Sequence, residues 1–471
     1  MTITETTTNT GGLQLASERI TVLDKWTGEI IAERQTVSGA EVDTIVRTAV
    51  AAAEVPWAPD QRERSLRRAV ELLQQRKEHI LETMIRETGY TRRDVENEFS
   101  RAMSTLSLCA EEAIRITGAI VPVAANAAFA NSLALTVRVP IGVVLAVTPF
   151  NAPLNTPCHK IGPALAAGNA VILKPAELTP LTAEHLVSAL HDAGVPRGRL
   201  QIAHGRGETA GHALLTREEI GFTTFTGSTA VGTVVKSATG VRPVSLELGS
   251  ISPTLVCEGA DVAHAAEQIV RGSFRKAGQV CTSVQIVYAH TSLADELTTE
   301  IVRRTKSLVT GDPWSSDPDF GPVISTEAAD HVTRLIEASV AAGAQPLTGG
   351  GRTGTLIEPV VLGGVRDGMP ITREEAFGPV VGITTFDSID DAIARVNAGR
   401  YGLQAGVFTD SLDITRKVAL NLQVGGVVIN GTSSTRSDGM PFGGQKDSGF
   451  GKEGPEHAVR EMSVERLVFM V

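Results

Sequence analysis

Two side chains with complementary chemistry, Glu247 and Cys281, stand on separate elements in the middle of the sequence. A thiolate can attack a carbonyl carbon to form a covalent intermediate, and a carboxylate can then activate the water that releases the product. A buried structural cysteine beside a surface glutamate is the plainer interpretation, because free cysteine is among the most buried residue types. The neighbours Gly278, Thr282 and Ser283 are small, which lets the backbone approach a ligand closely and favours two-stage acyl transfer.

Length and composition limit the alternatives. The 471 residues are too many for one core, so we expect two or more domains. Apolar residues make up 42% of the chain and charged residues 20%, as in soluble globular enzymes. The formal net charge of -10 argues against nucleic acid or an anionic membrane surface as the main partner. The four cysteines form no Cys-x-x-Cys pair, which predicts no disulfide framework and no metal site, and favours a reducing, cytoplasmic setting.

The N-terminal part of the chain is predicted to contain a polar tail, helices and a ribbon. Residues 1–12 are rich in threonine and lack the apolar segment of a signal peptide or anchor, and no apolar run approaches the ~20 residues that span a bilayer. Apolar residues at three- and four-residue spacing predict helices over 61–87 and 92–116. The segment 132–140 alternates apolar and polar residues, which predicts an antiparallel ribbon that reaches another subunit.

From Ile141 onward, strand and helix patterns alternate, which predicts parallel strands with helices on both faces. A dinucleotide belongs at the carboxyl ends of such strands. The first alternating region has predicted strands at 143–148, 170–173, 200–203, 221–226 and 243–248. A second region follows Ser250, with predicted strands at 283–289, 380–386, 404–409 and 427–430. The last apolar run, 466–470, is predicted to return to the ribbon.

Two glycine-rich segments are candidates for binding phosphate. The segment Gly349 to Gly354 matches the Gly-x-Gly-x-x-Gly pattern, but the residues after it look like a strand and offer no helix N-terminus. We therefore reject it. The segment that begins with Gly227 and Ser228 follows an apolar strand and opens a helix. Its backbone N–H groups and the Ser228 hydroxyl would meet an anionic oxygen.

Several motifs occur in a characteristic order: Thr148-Pro-Phe-Asn-Ala-Pro153, Leu173-Lys-Pro-Ala-Glu177, Phe225-Thr-Gly-Ser-Thr229, Leu246-Glu-Leu-Gly249, Gly278-Gln-Val-Cys281, Glu374-Glu-Ala-Phe-Gly-Pro379 and Pro441-Phe-Gly-Gly-Gln-Lys-Asp-Ser-Gly449. The set resembles the NAD(P)-dependent aldehyde dehydrogenase superfamily over nearly the whole chain, from about Asp24 to Val471. The segments 155–160 and 435–441 look most like the branch that acts on lactaldehyde, phosphonoacetaldehyde and other small polar aldehydes.

The resemblance implies an α/β aldehyde dehydrogenase fold with a Rossmann-like cofactor domain, an α/β catalytic domain and a small β oligomerisation arm. The expected division is 13–117 and 141–249 for NAD binding, 250–431 for catalysis, and 118–140 with 455–471 for the arm. A homodimer or homotetramer is expected. The expected partner is a small-molecule aldehyde, which is oxidised to its carboxylic acid.

The resemblance also implies how the central residues act. Cys281 would form a thiohemiacetal and then a thioester, while Asn151 and the Cys281 backbone N–H would stabilise the oxyanion. Glu247 would activate the water that hydrolyses the thioester. Because Glu247 stands in an apolar run, we expect its pKa to be raised, which suits a base that works near neutrality.

NAD is the expected cofactor, and use of NADP remains open. Glu177 would favour NAD because a carboxylate repels the 2′-phosphate of NADP. Ser250 departs from the family pattern, which usually has a second glycine there, so cofactor positioning or substrate range is expected to differ. The residues implied in cofactor binding are Lys174, Glu177, Gly227, Ser228, Glu375 and Phe377.

Substrate choice is predicted from three residues. Arg101, His159 and Arg436 match positions that grip the phosphonate in phosphonoacetaldehyde dehydrogenases, and they would suit a phosphonate, phosphate or carboxylate tail. Phosphonoacetaldehyde dehydrogenases also have an arginine before the catalytic cysteine, where Val280 stands here, which favours a smaller or monoanionic aldehyde. The alternatives are a neutral, lactaldehyde-like substrate, an acylating enzyme that uses coenzyme A, and a noncatalytic NAD-binding scaffold.

Overall fold

The computed structural model describes residues 16–315 and 318–471. The predicted N-terminal tail, 1–12, lies outside the described residues. Within the described part of the chain, no helix is both long and apolar enough to cross a membrane.

The first large sheet has six strands, and its carboxyl edge carries much of the site. Its five long strands run parallel, as the alternating pattern predicted, and a short antiparallel strand closes one edge. In spatial order the strands are Gly449–Phe450, Val244–Glu247, Ile220–Thr226, Val143–Val147, Ala170–Lys174 and Leu200–Ile202.

The second large sheet has seven strands, and all but one edge strand run parallel. The sequence predicted four of them, and the strand expected after the glycine segment 349–354 overlaps Val360–Gly363. The structure adds Pro253–Val256, between Ile286–His290 and Gln404–Phe408, and the short edge strand Gln345–Pro346. Buried parallel strands are short apolar runs without alternation, and periodicity alone does not distinguish such runs from buried helix segments. In spatial order the strands are Gln345–Pro346, Val360–Gly363, Val380–Phe386, Ile286–His290, Pro253–Val256, Gln404–Phe408 and Gly426–Ile429.

The third sheet is an exposed antiparallel ribbon. Strand Leu133–Pro140 lies between Ile120–Val121 and the C-terminal strand Ser463–Met470. Strands Leu133–Pro140 and Ser463–Met470 pair along their whole length, from Ser463 opposite Pro140 to Met470 opposite Leu133. The predicted return of the C-terminus to the ribbon is therefore confirmed.

Smaller pairs complete the strands. Arg19–Leu23 pairs with Ile30–Gln35, and Tyr401–Gly402 pairs with Gln445–Lys446. Arg352–Thr353 pairs with Leu356–Ile357, so strands follow the segment 349–354. This observation agrees with the rejection of that segment as a dinucleotide-binding motif.

Helices cover both faces of the two large sheets. The α-helices of the described residues are Gly39–Glu54, Pro59–Gln75, Lys77–Thr88, Arg92–Ala113, Asn155–Ala166, Pro180–Asp192, His212–Leu215, Thr229–Thr239, Val262–Phe274, Ala294–Lys306, Thr326–Ala341, Ile389–Ala398, Leu412–Asn421 and Pro455–Glu461.

The helix predicted over 61–87 is in fact two helices, which is a correction. The break falls at Arg76, whose backbone has φ -100° and ψ 8°. Neither glycine nor proline marks this position, so periodicity alone could not locate the break. The Arg76 guanidinium pairs with Asp192 at 2.6 Å, a contact that only the tertiary structure reveals.

Alternate residues of the central strands face opposite cores, as expected for a sheet covered on both faces. In the first sheet, Val144 and Ala146 pack in one apolar cluster, whereas Val143 and Leu145 pack in the other. The second sheet shows the same alternation. Burial on both faces fixes the strand ends, and the loops after these ends therefore hold their side chains in defined places.

Candidate active site

One cavity of about 760 Å³ lies between the two large sheets and collects residues from both. The structure brings together the residues that the sequence singled out, since all twelve predicted site residues line this cavity: Arg101, Asn151, His159, Lys174, Glu177, Gly227, Ser228, Glu247, Cys281, Glu375, Phe377 and Arg436.

Cys281 lies in a loop after a short turn that ends at Gly278. Gly278 has φ +72°, and a Cβ there would lie 2.1 Å from the carbonyl oxygen of Gly378, so only glycine fits. Cys281 is partly exposed, whereas Cys109, Cys158 and Cys257 are buried. Burial and the neighbouring Glu247 charge raise the pKa of the Cys281 thiol. This cysteine is therefore the one that a ligand in the cavity can reach.

Glu247 is the last residue of strand Val244–Glu247, and its side chain faces Cys281. Only 5% of it is exposed, and its Oε1 atom has no hydrogen-bond partner among the described residues. Burial raises the pKa of Glu247, and the nearby negative charge of Glu453 raises it further. The raised pKa that the sequence predicted therefore has two physical causes.

Asn151 follows the strand Val143–Val147 and is buried. Its Nδ2 atom donates a hydrogen bond to the carbonyl of Gln279 at 2.9 Å. This bond ties the amide to the loop that carries Cys281. An Nδ2 group has two hydrogens, so one remains for a ligand.

Lys174 and Glu177 mark the end of another strand of the first sheet. Lys174 Nζ lies 3.3 Å from Glu177 Oε2, and the Glu177 side chain is 42% exposed. Burial lowers the pKa of Lys174, although the Glu177 carboxylate opposes this effect. Next along the cavity, Ser228 caps helix Thr229–Thr239 by accepting a hydrogen bond from Val231 N. The predicted sequence of strand, glycine, serine and helix is thus confirmed.

Glu375 and Phe377 enter the cavity from the second sheet's side. Glu375 Oε1 accepts a hydrogen bond from Ser250 N at 3.0 Å, and burial raises the Glu375 pKa to about 7. A Cβ at Gly249 would lie 2.7 Å from Glu375 Oε2, so glycine is needed for this approach. The ring of Phe377 meets that of Phe150 edge to face at 5.8 Å.

Ser250, which departs from the family pattern, contacts its neighbours through its side chain. Its Oγ accepts a hydrogen bond from Ser252 N at 3.0 Å. Ser252 Oγ lies 3.0 Å from both Ser250 Oγ and the carbonyl oxygen of Cys281. The extra side chain therefore joins a hydrogen-bond cluster that reaches the loop of Cys281.

Arg101, His159 and Arg436 meet at the other end of the cavity, around two carboxylates. Arg101 binds Asp438 with two donors, at 2.7 and 3.2 Å. His159 Nε2 lies 3.2 Å from Asp438 Oδ1 and 3.3 Å from Arg436 Nη2. Arg436 donates to Glu453 at 2.9 Å, and the Nε atom of Arg436 has no partner among the described residues.

The charges at this end alter one another's protonation. Burial and the Arg436 charge lower the pKa of His159, which favours a neutral imidazole. Burial alone would raise the pKa values of Asp438 and Glu453, but cations reverse this effect in both cases. Hydrogen bonds from His159 and Arg101, together with the Arg101 charge, lower the pKa of Asp438, and the charges of Lys160 and Arg436 lower the pKa of Glu453. Both carboxylates are therefore ionised near neutrality.

Four residues of this cluster were not predicted from the sequence to belong to the site: Lys160, Arg275, Asp438 and Glu453. Lys160 Nζ lies 3.2 Å from Glu453 Oε1. A lysine directly before the apolar and small residues 161–167 was the available signal, because a buried ammonium needs a partner. Arg275 lines the cavity and donates Nε–H to Ser434 at 3.0 Å. No ion pair of the described residues includes Arg275, whereas Asp438 and Glu453 each pair with cations.

Comparison with known proteins agrees with this fold and cavity. The sequence profile of the Aldehyde dehydrogenase family matches residues 14–468. The chain therefore belongs to the aldehyde dehydrogenase family, and it is an NAD(P)-dependent enzyme that oxidises aldehydes.

Individual relatives cover almost the whole chain. A 3-sulfolactaldehyde dehydrogenase from Priestia aryabhattai is 43% identical over 460 residues, which is 98% of this chain and 96% of the relative. A lactaldehyde dehydrogenase from Methanococcus vannielii is 35% identical, over 97% of this chain and 98% of the relative. The NADP complex of glyceraldehyde-3-phosphate dehydrogenase GapN from Methanocaldococcus jannaschii superposes with a TM-score of 0.92 at 32% identity, covering 96% of this chain and 98% of that one.

Proposed function

We propose that the chain oxidises a small aldehyde with an anionic tail to its carboxylic acid, with Cys281 as nucleophile and Glu247 as base. One observation carries the proposal. The partly exposed Cys281 faces Glu247, whose Oε1 atom is buried without a hydrogen-bond partner among the described residues. A buried acceptor without a partner is costly in a merely structural role, whereas a base needs a free lone pair for the proton of water.

In the first step the Cys281 thiol releases its proton to solvent and its sulfur attacks the aldehyde carbon, so that a C–S bond forms and the carbonyl oxygen becomes the oxyanion of a thiohemiacetal. The negative charge that develops on the substrate oxygen is stabilised by Asn151 Nδ2 and the Cys281 backbone N–H. The Asn151 amide is already held by Gln279, so it does not need to reorganise. After oxidation to the thioester, Glu247 takes a proton from water, the resulting hydroxide attacks the acyl carbon, and the Cys281 sulfur leaves.

NAD(P)⁺, when bound, supplies the oxidant that accepts the hydride from the thiohemiacetal. The cavity fits such a cofactor in its donor chemistry. Lys174 and Glu177 offer a cation and a carboxylate for ribose hydroxyls, and the capped helix at Ser228 offers N–H groups for phosphate. Glu375, packed beside Phe377, would hold the second ribose. Glu177 favours NAD over NADP, since its carboxylate repels a 2′-phosphate.

The anionic tail of the substrate is proposed because two guanidinium groups of the cationic cluster have donors without a carboxylate partner. Arg275 takes part in no ion pair of the described residues, and Arg436 Nε is buried without a partner. Burial and the nearby Arg101 charge lower the pKa of Arg275, yet a guanidinium stays charged in proteins. An anionic group of the substrate would offset the repulsion between the Arg275 and Arg101 guanidinium groups. The similarity to 3-sulfolactaldehyde dehydrogenases supports a sulfonate, phosphonate or carboxylate tail.

The presence of two large sheets supports the division into a cofactor-binding domain and a catalytic domain that was expected from the sequence. We assign 13–117 and 141–249 to cofactor binding and 250–431 to catalysis. The oligomerisation arm, 118–140 with 455–471, contains the antiparallel ribbon and is assigned to contact between subunits of a homodimer or homotetramer. Several large apolar side chains of its C-terminal strand are exposed, Leu467, Val468, Phe469 and Met470 among them, which supports that assignment.

The test measures NAD(P)H formation from lactaldehyde and from sulfonate-, phosphonate- and carboxylate-tailed aldehydes, for the wild type and for Cys281→Ala. We expect Cys281→Ala to lose activity by roughly 10⁴-fold or more while still binding NAD(P). Full activity of this variant would overturn the proposal, as would a requirement for coenzyme A. A preference for neutral aldehydes that Arg436→Ala leaves unchanged would overturn the anionic tail alone.

A further inference from the structure

A buried ion pair outside the reacting atoms links the loop of Asn151 to the loop of Cys281. Lys276 Nζ lies 2.5 Å from Glu98 Oε2, and the two side chains are 7% and 4% exposed. Lys276 Nζ also donates a hydrogen bond to the backbone carbonyl of Asn151 at 2.9 Å. One ammonium group therefore touches both the partner carboxylate and the residue proposed to stabilise the oxyanion.

Glu98 holds the other side of the same loop. Its Oε1 atom accepts hydrogen bonds from the backbone N–H groups of Leu154 at 2.9 Å and Asn155 at 3.3 Å. These groups begin helix Asn155–Ala166, which follows Asn151 directly. A carboxylate at a helix N-terminus is favourable because unpaired N–H groups and the helix dipole both attract it. Glu98 thus fixes the chain after Asn151, and Lys276 fixes the carbonyl of Asn151.

The backbone around Lys276 is strained, so its conformation needs support. Lys276 and Ala277 both have φ +53°. Consecutive left-handed residues other than glycine are unfavourable because Cβ approaches the following carbonyl oxygen. The Lys276 carbonyl accepts a hydrogen bond from Gln279 Nε2 at 3.1 Å, and the Gln279 carbonyl accepts the Asn151 amide. The contacts therefore close a ring between the two loops.

We propose that Lys276 and Glu98 are positioning residues, which hold the Asn151 amide in place against the Cys281 loop. This inference rests on the proposed function, in which Asn151 stabilises the oxyanion. A buried ammonium is stable only beside its carboxylate, so the pair has one permitted arrangement. That arrangement sets where the Asn151 carbonyl lies, and the hydrogen bond from Asn151 Nδ2 to the Gln279 carbonyl sets where the amide points.

The test is a double-mutant cycle between Lys276→Met and Asn151→Ala, with kcat and KM measured separately. In the wild-type background, Lys276→Met is expected to lower kcat by about 10- to 100-fold, with KM for NAD(P) little changed. In the Asn151→Ala background, Lys276→Met is expected to lower kcat by only about twofold or less, because the group it positions is gone. Equal losses in both backgrounds would overturn the inference.

A second variant separates positioning from folding. Lys276→Met alone leaves Glu98 buried and unpaired, so it could destabilise the chain. The double variant Glu98→Gln/Lys276→Met is neutral, and we expect its thermal unfolding to lie closer to that of the wild type. Its kcat is expected to stay low, since no ammonium reaches the Asn151 carbonyl. Recovery of wild-type kcat in this double variant would overturn the inference.

The same cycle distinguishes failure of this inference from failure of the proposed function. Asn151→Ala by itself is expected to lower kcat by roughly 10²–10³-fold. If Asn151→Ala kept wild-type kcat, the proposed oxyanion role would be wrong, and the inference would fall with it. If Asn151→Ala lost activity as expected while Lys276→Met acted additively, only the positioning role would be overturned.

Discussion

The two ends of the cavity leave different hydrogen-bonding groups free. At the end that holds Cys281, the group without a hydrogen-bond partner among the described residues is an acceptor, Glu247 Oε1. At the cationic end, Asp438 and Glu453 are each held by cations, and the groups without a hydrogen-bond partner among the described residues are Arg436 Nε, a donor, and His159 Nδ1. Arg275 lines the same cavity and takes part in no ion pair of the described residues. A free acceptor suits proton transfer from water, and free donors suit an anion. The hydrogen-bonding groups that a buried cluster leaves without a partner therefore indicate its use better than the residue types it contains.

Removal of the free acceptor is the most direct test of the difference between the two ends. Glu247→Gln keeps the shape of the side chain but cannot take a proton from water. We expect steady-state turnover to fall by roughly 10²–10⁴-fold, while a burst of about one NAD(P)H per active site remains, because the thioester still forms. Rapid-mixing absorbance measurements check this result. Glu267→Gln, an exposed change elsewhere, is the matched control; wild-type turnover of Glu247→Gln would place the base on another residue.

Removal of the unpaired donor tests the opposite end. Arg275→Met is expected to lower kcat/KM for a sulfonate-tailed aldehyde by roughly 10- to 100-fold, since a hydrogen bond to a charged group contributes about 1.5–3 kcal/mol. The value for lactaldehyde is expected to change much less. Arg271→Met is the matched control, because Arg271 is exposed and does not line the cavity. Equal losses for both aldehydes would mean that Arg275 supports the loop and not the tail.

Much of the site follows from the sequence because its signals are local. Cys281 stands among small residues, Glu247 ends an apolar strand, and Ser228 caps a helix directly after a strand. Pairings such as Arg101 with Asp438 join residues more than three hundred positions apart. No local pattern encodes such a pairing, and the same holds for the helix break at Arg76. The motif that contains Asp438 was recognised, but whether its carboxylate binds a cation depends on how helix Arg92–Ala113 packs.

A variant at Glu453 tests how the two ends are coupled, because Glu453 pairs with Arg436 at one end and affects the pKa of Glu247 at the other. Glu453 raises the pKa of Glu247, whereas Arg436 and Lys160 lower it. In Glu453→Gln the negative neighbour is lost and both cations become uncompensated, so the pKa of Glu247 is expected to fall. Because the base must be ionised to act, the acidic limb of the pH profile of kcat should move to lower pH, by about one unit. Glu456→Gln, an exposed change nearby, should leave it in place; a move to higher pH would contradict the coupling.

The smallest effect is expected at Glu177, the exposed member of a charge pair that we propose to lie at the adenosine side of the cofactor. Glu177 is 42% exposed and pairs with Lys174, so solvent weakens its field. Glu177→Gln removes the repulsion toward a 2′-phosphate and leaves the buried Lys174 free to attract it. We expect the ratio of kcat/KM for NADP to that for NAD to rise up to about fivefold, in line with the 0.2–1 kcal/mol that exposed ion pairs contribute. Steady-state kinetics with both cofactors measure the ratio, and Glu219→Gln serves as the exposed control. A ratio that stays constant would show that the choice between NAD and NADP is made by other residues, and that Glu177 only orients Lys174.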